Sequence, residues 1–123
     1  MNDPRRALGA DGEDRAAAHL VRHGYRILDR NTRAAGVEID LVARQRHTLV
    51  FIEVKTRRTR THGPPEAAVD HHKQRRLTRA AAAWLHTHHH HASTVRFDVI
   101  TCQPDPQGNW QIHHIQNAFE AGD

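Results

Sequence analysis

The stretch "LVFIEVKTRR" (Leu49–Arg58) begins as an apolar run and ends as a basic one. Strand alternation puts Leu49, Phe51, Glu53 and Lys55 on one face and Val50, Ile52 and Val54 on the other. A strand apolar on both faces is expected at the centre of a sheet covered from both sides. An acid and a base on one face of such a strand need a reason, because a buried charge is costly unless it is paired.

Working outward, "EIDLVARQ" (Glu38–Gln45) reads as the preceding strand. The short link "RQRH" predicts a hairpin between the two. "YRILDRN" (Tyr25–Asn31) is a short strand before it. Residues 5–23 read as a helix with Ala16, Ala17, Leu20 and Val21 as its apolar stripe and Gly24 as its cap. Glu13 lies four residues before Ala17, on or beside that stripe; the plainer reading is a solvated acid near a helix start, where the dipole favours it. On the other side, "TRRTRTHGPP" is polar, basic and ends in Gly63, Pro64 and Pro65, so it is a loop. A long helix follows from about Glu66 to His86. Val69, Leu77, Ala80, Ala81, Trp84 and Leu85 form its inward face. "TVRFDVITC" alternates again, with Val95, Phe97 and Val99 on one side. "PDPQGN" is a turn, "WQIHHI" a final strand and "NAFEAGD" a tail. The order is helix, three strands, helix, two strands. With no repeat and no linker, residues 1–123 are expected to form a single domain.

Composition narrows the class. Hydrophobic residues make up 37% of the 123, enough for one modest core. Lys and Arg total 18 against 14 Asp and Glu, a net charge of +4, which suits either a polyanionic partner or ordinary solubility. The one cysteine, Cys102, allows no intrachain disulfide and fits a reducing cytoplasm. The N-terminal "MNDPRRALGADGEDR" has no apolar stretch, so no secretory signal is expected. No apolar run approaches the ~20 residues that span a bilayer. Five of the 13 histidines lie in "HTHHHH" (His86–His91). Neighbours on a helix diverge, so this tract reads as a solvated loop rather than a metal site.

Asp40, on the strand paired with "LVFIEVKTRR", can be brought beside Glu53 by an available hairpin register. Two carboxylates and the Lys55 ammonium then meet at a sheet end. Such a set suits metal-assisted phosphodiester cleavage. Mg²⁺ takes oxygen ligands and keeps several waters, and lysine can position a water or stabilise charge on phosphate. The bland alternative is a cross-strand ion pair, since E-x-K alone is common.

The blocks "GADGEDRAAAHLVRHGYRILDRN", "EIDLVA", "LVFIEVKTRR", "HGPPEAAVDHHKQRRL" and "RFDVI" occur in this order from Gly9 to Ile100. Together they resemble the YraN-like family of small bacterial proteins. That family is similar to the Holliday-junction resolvases and is placed with the restriction-endonuclease-like PD-(D/E)XK fold. The resemblance implies an α/β fold with an αβββαβ core, a central mixed sheet flanked by helices. It implies Asp40, Glu53 and Lys55 as catalytic residues, Asp40 and Glu53 as metal ligands for Mg²⁺ or Mn²⁺, and Glu13 as the first-helix acid. Glu38 matches a further family acid and is held as secondary. Where the family has Gly directly before that Glu, here Val37 stands between Gly36 and Glu38, which is expected to reshape the turn.

From Lys55 to Arg79 stand Lys55, Arg57, Arg58, Arg60, Lys73, Arg75, Arg76 and Arg79, against only Glu66 and Asp70. Arg57, Arg58, Arg60, Lys73, Arg75, Arg76 and Arg79 are therefore the expected nucleic-acid contacts, binding phosphates without reading sequence. Three readings stand: a metal-dependent nuclease acting on DNA, branched DNA included; a nucleic-acid-binding protein of the same fold with little or no cleavage; and a histidine-rich metal-handling protein. The last leaves Glu53 and Lys55 unexplained. The resolvase likeness adds a homodimer as an expectation.

Overall fold

The first helix, α1 (Pro4–Arg22), stops where the chain turns left-handed at Gly24, φ +87°. The Gly24 N–H bonds back to the Val21 carbonyl at 3.1 Å, as a glycine cap does. Three strands follow, β1 (Arg26–Ala34), β2 (Val37–Gln45) and β3 (Thr48–Thr56), then α2 (His71–Thr87), β4 (Thr94–Pro104) and β5 (Trp110–Phe119). The computed structural model describes residues 4–57, 69–89 and 94–120, with side chains from residue 8 onward. Arg58, Arg60, Gly63, Pro64, Pro65 and Glu66, together with His90 and His91, lie outside the described residues.

The strands form one sheet in the order β1-β2-β3-β4-β5. Neighbours are antiparallel except for β3 and β4, which are parallel, as the crossover through α2 requires. This is an α/β fold with the helix and strand order, and the mixed sheet, that the sequence implied. β3 is the central strand and is apolar on both faces, as expected. Leu49 and Phe51 pack with Leu77, Ala80, Ala81 and Trp84 of α2 on one face. Val50, Ile52 and Val54 pack with Ala16, Ala17 and Leu20 of α1 on the other. Phe51 meets Trp84 edge to face, with centroids 5.7 Å apart, and stacks on Phe97 at 5.9 Å. Such pairs add roughly 0.5–1.5 kcal/mol beyond their area.

Four details depart from expectation. Val21 is 57% exposed and not part of the inward stripe, because Ala16, Ala17 and Leu20 already define the line on which α1 rests. Val95 is 38% exposed, while Phe97 and Val99 on the same strand are buried. The helix expected from about Glu66 begins after Asp70. That residue is extended (φ −77°, ψ 173°), and its side chain accepts the Lys73 N–H at 2.8 Å, an N-cap that sets the start. "NAFEAGD" is not simply a tail, for β5 continues to Phe119, which stacks on Phe97 at 4.7 Å. An irregularity between Phe97 and Val99, with Asn117 at φ +52°, carries the strand past its polar residues.

Asp98 on β4 is 1% exposed and fully partnered. It accepts from Arg96 Nε at 2.8 Å and Nη2 at 2.9 Å and from the Asn117 N–H at 2.9 Å, and it lies 2.6 Å from His114 Nε2. Arg96 Nη2 also donates to the Tyr25 hydroxyl at 2.7 Å, which ties β4 to the end of α1. Among the described residues no helix is long and apolar enough to cross a membrane.

Candidate active site

The ladder between β2 and β3 stops at Leu41 opposite Ile52. Continued, it would set Asp40 opposite Glu53. Instead Asp40 Oδ2 accepts the Val54 N–H at 2.8 Å, so a side chain takes over from the β2 backbone where the two strands part. The alternation of β2 changes phase at this point. Val37, Ile39 and Val42 pack on the α2 side, while Leu41 and Ala43 pack on the α1 side. Across on β1, Asn31 faces Asp40 between the pairs Arg30–Leu41 and Thr32–Ile39 and adopts φ +49°.

Glu13 arrives from α1 because Gly12 lets the helix come close. A Cβ at Gly12 would stand 1.9 Å from Thr56 Oγ1 at the end of β3. Its carbonyl lies 3.4 Å from Cys102 Sγ on β4. Glu38 enters from the start of β2. The inserted Val37 pairs with Ala34 across a two-residue turn, Ala35–Gly36, with φ +52° and +73°. The insertion is absorbed by a turn of the kind that suits a twisted hairpin.

Glu13, Glu38 and Asp40 thus each offer a carboxylate oxygen, and these oxygens lie within 4.8 Å of one another. Oxygens bound to one Mg²⁺ at 2.0–2.1 Å stand about 3 Å apart when adjacent and about 4.2 Å when opposite. Three hard oxygen donors within this bound could hold one divalent cation once the side chains draw together by a few tenths of an ångström. The site's electrostatics point the same way. Burial, and next the charge of Glu53, push the Asp40 carboxyl up to about 7, with Glu13 and Glu38 adding to the effect and the Val54 N–H opposing it. The Lys73 ammonium feels the Asp40 charge, but burial and the neighbouring acids prevail at Asp40.

Glu53 is 7% exposed and stands outside that trio. Its Oε1 is paired with Lys73 Nζ and lies 3.7 Å from Lys55 Nζ. Lys55 therefore meets Glu53 as the spacing on β3 implied. Lys73, expected on the basic surface, reaches into the acidic site as well. Burial works to lower its ammonium, but the hydrogen bond and charge of Glu53 outweigh that and hold it above the ordinary lysine range. Arg75, Arg76 and Arg79 lie exposed along α2. Of the histidine tract, His88 stacks on Trp84 with centroids 4.1 Å apart and sits 3.8 Å from Asp29, while His86 and His89 are exposed. Among the described residues no grouping of possible metal ligands includes these histidines.

Sequence reasoning held Glu38 as secondary and did not connect Lys73 with Glu53. The first could have been found from the two-residue spacing of Glu38 and Asp40. The second has no local signal, since 20 residues separate the partners.

An αβββαβ chain order, a mixed sheet between two helices and carboxylates gathered where β2 leaves β3 define an α/β protein with an acidic candidate site at one sheet end. The chain belongs to the uncharacterised protein family UPF0102, the YraN-like family, whose model matches residues 12–102. It is 50% identical over 117 residues to a UPF0102 protein of Pelobacter propionicus, covering 94% of this chain and 84% of that one. It is 48% identical over 120 residues to one of Geobacter metallireducens, covering 98% of each. Among solved structures, SfsA of Pyrococcus furiosus in complex with Ca²⁺ aligns at TM-score 0.44 and 13% identity, over 91% of this chain and 63% of that chain. The protein SSO0001 aligns at TM-score 0.44 and 17% identity, over 97% of this chain and 55% of that one. The chain thus spans less than two thirds of each, and at these scores neither bears on the chemistry of the site.

Proposed function

We propose that this protein is a metal-dependent nuclease that hydrolyses phosphodiester bonds in DNA, branched DNA included. The observation that carries the reading is the convergence of Glu13, Glu38 and Asp40, beside Glu53 and Lys55, where β2 and β3 part. Asp40, with Glu13, Glu38 and Glu53 around it, would hold Mg²⁺ or Mn²⁺. When bound, such an ion polarises a phosphoryl oxygen and acidifies a water. The chain's own residues do the rest. Lys55, anchored by Glu53, offers its ammonium to the charge that forms on the phosphate. Exposed Arg75, Arg76 and Arg79, together with Arg57, Arg58, Arg60 and Lys73, supply phosphate contacts that fix the strand without reading its sequence. A cytoplasmic location and a homodimer belong to the same reading; the buried Cys102 thiol, pushed up to about 11 by burial, is an inert group that needs no oxidising compartment.

One observation favours the alternative of a nucleic-acid-binding protein with little or no cleavage. Glu53 is already neutralised by lysines and so has less to offer a cation. Single-turnover cleavage over a panel of linear and branched DNA and RNA, with Mg²⁺ or Mn²⁺ and a parallel binding assay, separates the two. A nuclease loses cleavage in Asp40→Asn and in Glu53→Gln, loses about 100-fold in rate in Lys55→Ala, and keeps DNA binding in all three. Wild type that binds DNA yet cleaves nothing faster than Glu53→Gln defeats the nuclease reading.

A further inference from the structure

Two ammoniums share Glu53 Oε1, and they differ in origin. Lys55 sits two residues away on the same strand and stays near whatever else happens. Lys73 comes from the first turn of α2, and its side chain is 34% exposed, so solvent and a second anion can reach it. Its backbone is fixed. Asp70 accepts the Lys73 N–H at 2.8 Å, and Gln74 Nε2 donates to the Val69 carbonyl at 3.0 Å. Release of Glu53 therefore requires a side-chain movement only. The exposed Arg75, Arg76 and Arg79 on the same helix attract a polyanion to this end of the molecule.

We propose that Lys73 is a positioning residue that couples the two ligands of the site: it holds Glu53 until a nucleic-acid phosphate draws its ammonium away, and the freed carboxylate then joins Asp40 in holding a divalent cation. The inference rests on the nuclease reading above. No covalent bond changes; Lys73 exchanges a carboxylate partner for a phosphate, and Glu53 exchanges an ammonium for a metal ion. Before substrate arrives, Lys73 gives the buried Glu53 carboxylate a closer partner than Lys55 at 3.7 Å does. Linkage requires the effect to be mutual, so the cation tightens DNA by the factor that DNA tightens the cation.

The test is calorimetric titration of the full chain with Ca²⁺, an oxygen-seeking probe, with and without a saturating short DNA duplex. In wild type the duplex raises Ca²⁺ affinity about 10-fold. Lys73→Ala starts at the higher affinity, and its gain from the duplex falls to within about 2-fold. Lys73→Arg, which can keep the ion pair, keeps the gain. In a Glu53→Gln background Lys73→Ala shifts Ca²⁺ affinity no further, the non-additivity expected of two groups acting as one. An undiminished gain in a folded Lys73→Ala overturns the proposal. Should that variant not fold, wild type decides: Ca²⁺ and duplex that both bind without affecting each other overturn it equally. A chain that binds neither Ca²⁺ nor the duplex overturns the nuclease reading, and this inference with it.

Discussion

β2 and β4 flank β3, and each carries an aspartate shielded from water, Asp98 buried and Asp40 half-buried, but the two have opposite surroundings. Asp98 accepts two bonds from Arg96 and one from the Asn117 N–H, with His114 at 2.6 Å. Burial alone would raise its carboxyl, but these donors outweigh burial and hold it below the usual carboxylate range. Asp40 accepts one backbone N–H and faces three other acids, and it is pushed up to about 7. Burial is common to both. The difference lies in the supply of donors, and it separates a carboxylate that completes the fold from one left short of positive charge.

The widest separation is expected on substitution. Asp98→Ala leaves Arg96 without its charge partner and costs about 3–5 kcal/mol in urea denaturation. Asp40→Asn keeps an oxygen for the Val54 N–H while removing a disfavoured charge. At pH 8 without metal it should stabilise the chain, by at most on the order of 4 kcal/mol from the displacement of its pKa. Equal destabilisation by both changes would erase the distinction.

The pH dependence sharpens it. Asp40 titrates higher folded than unfolded, so between about pH 4 and 7 the folded state binds the extra proton. Its contribution therefore falls as pH rises through that window, and the cost is fully present above 7. Asp98, with its lowered pKa, contributes stability that is present above the ordinary aspartate value and lost as pH falls through the folded one. Denaturation midpoints taken from pH 4 to 8 should show the Asp40 component in wild type and not in Asp40→Asn. Mg²⁺ or Mn²⁺ should raise the melting temperature more at pH 8 than at pH 6, because the ion needs Asp40 deprotonated. The smallest effect is expected at the rim of the site. Glu38→Gln should weaken Mn²⁺ binding by about 10-fold, and an unchanged affinity would remove Glu38 from the ligand set.

Much of this was legible in the residues. The two-sided apolarity of "LVFIEVKTRR" placed β3 at the centre, and its period of two placed Glu53 beside Lys55. The hairpin register that brings Asp40 beside Glu53 is the one the strands follow, with the ladder ending one pair earlier, at Leu41 and Ile52. What alternation cannot express is a strand that changes phase, and β2 does so at Asp40, where a side chain replaces a backbone pairing. The start of α2 was missed because it turns on one hydrogen bond that Asp70 accepts from the Lys73 N–H, while the residues before it suit a helix equally well by pattern. The reach of β5 was missed for a similar reason. Gln116 and Asn117 look like the end of a strand unless the buried Asp98 that receives the Asn117 N–H is known.

The close approach at Gly12 ties two distant positions into one choice. An alanine there has nowhere to put its methyl while Thr56 keeps its present rotamer. Gly12→Ala should therefore swing the neighbouring Glu13 off the acidic trio and weaken Mn²⁺ binding, and trimming Thr56 to glycine in the same chain should restore it. Residues 12 and 56 should therefore change together. Among relatives, a larger side chain at the first should travel with a smaller one at the second, and a chain that enlarged both would have to lift its first helix and leave its metal one ligand poorer.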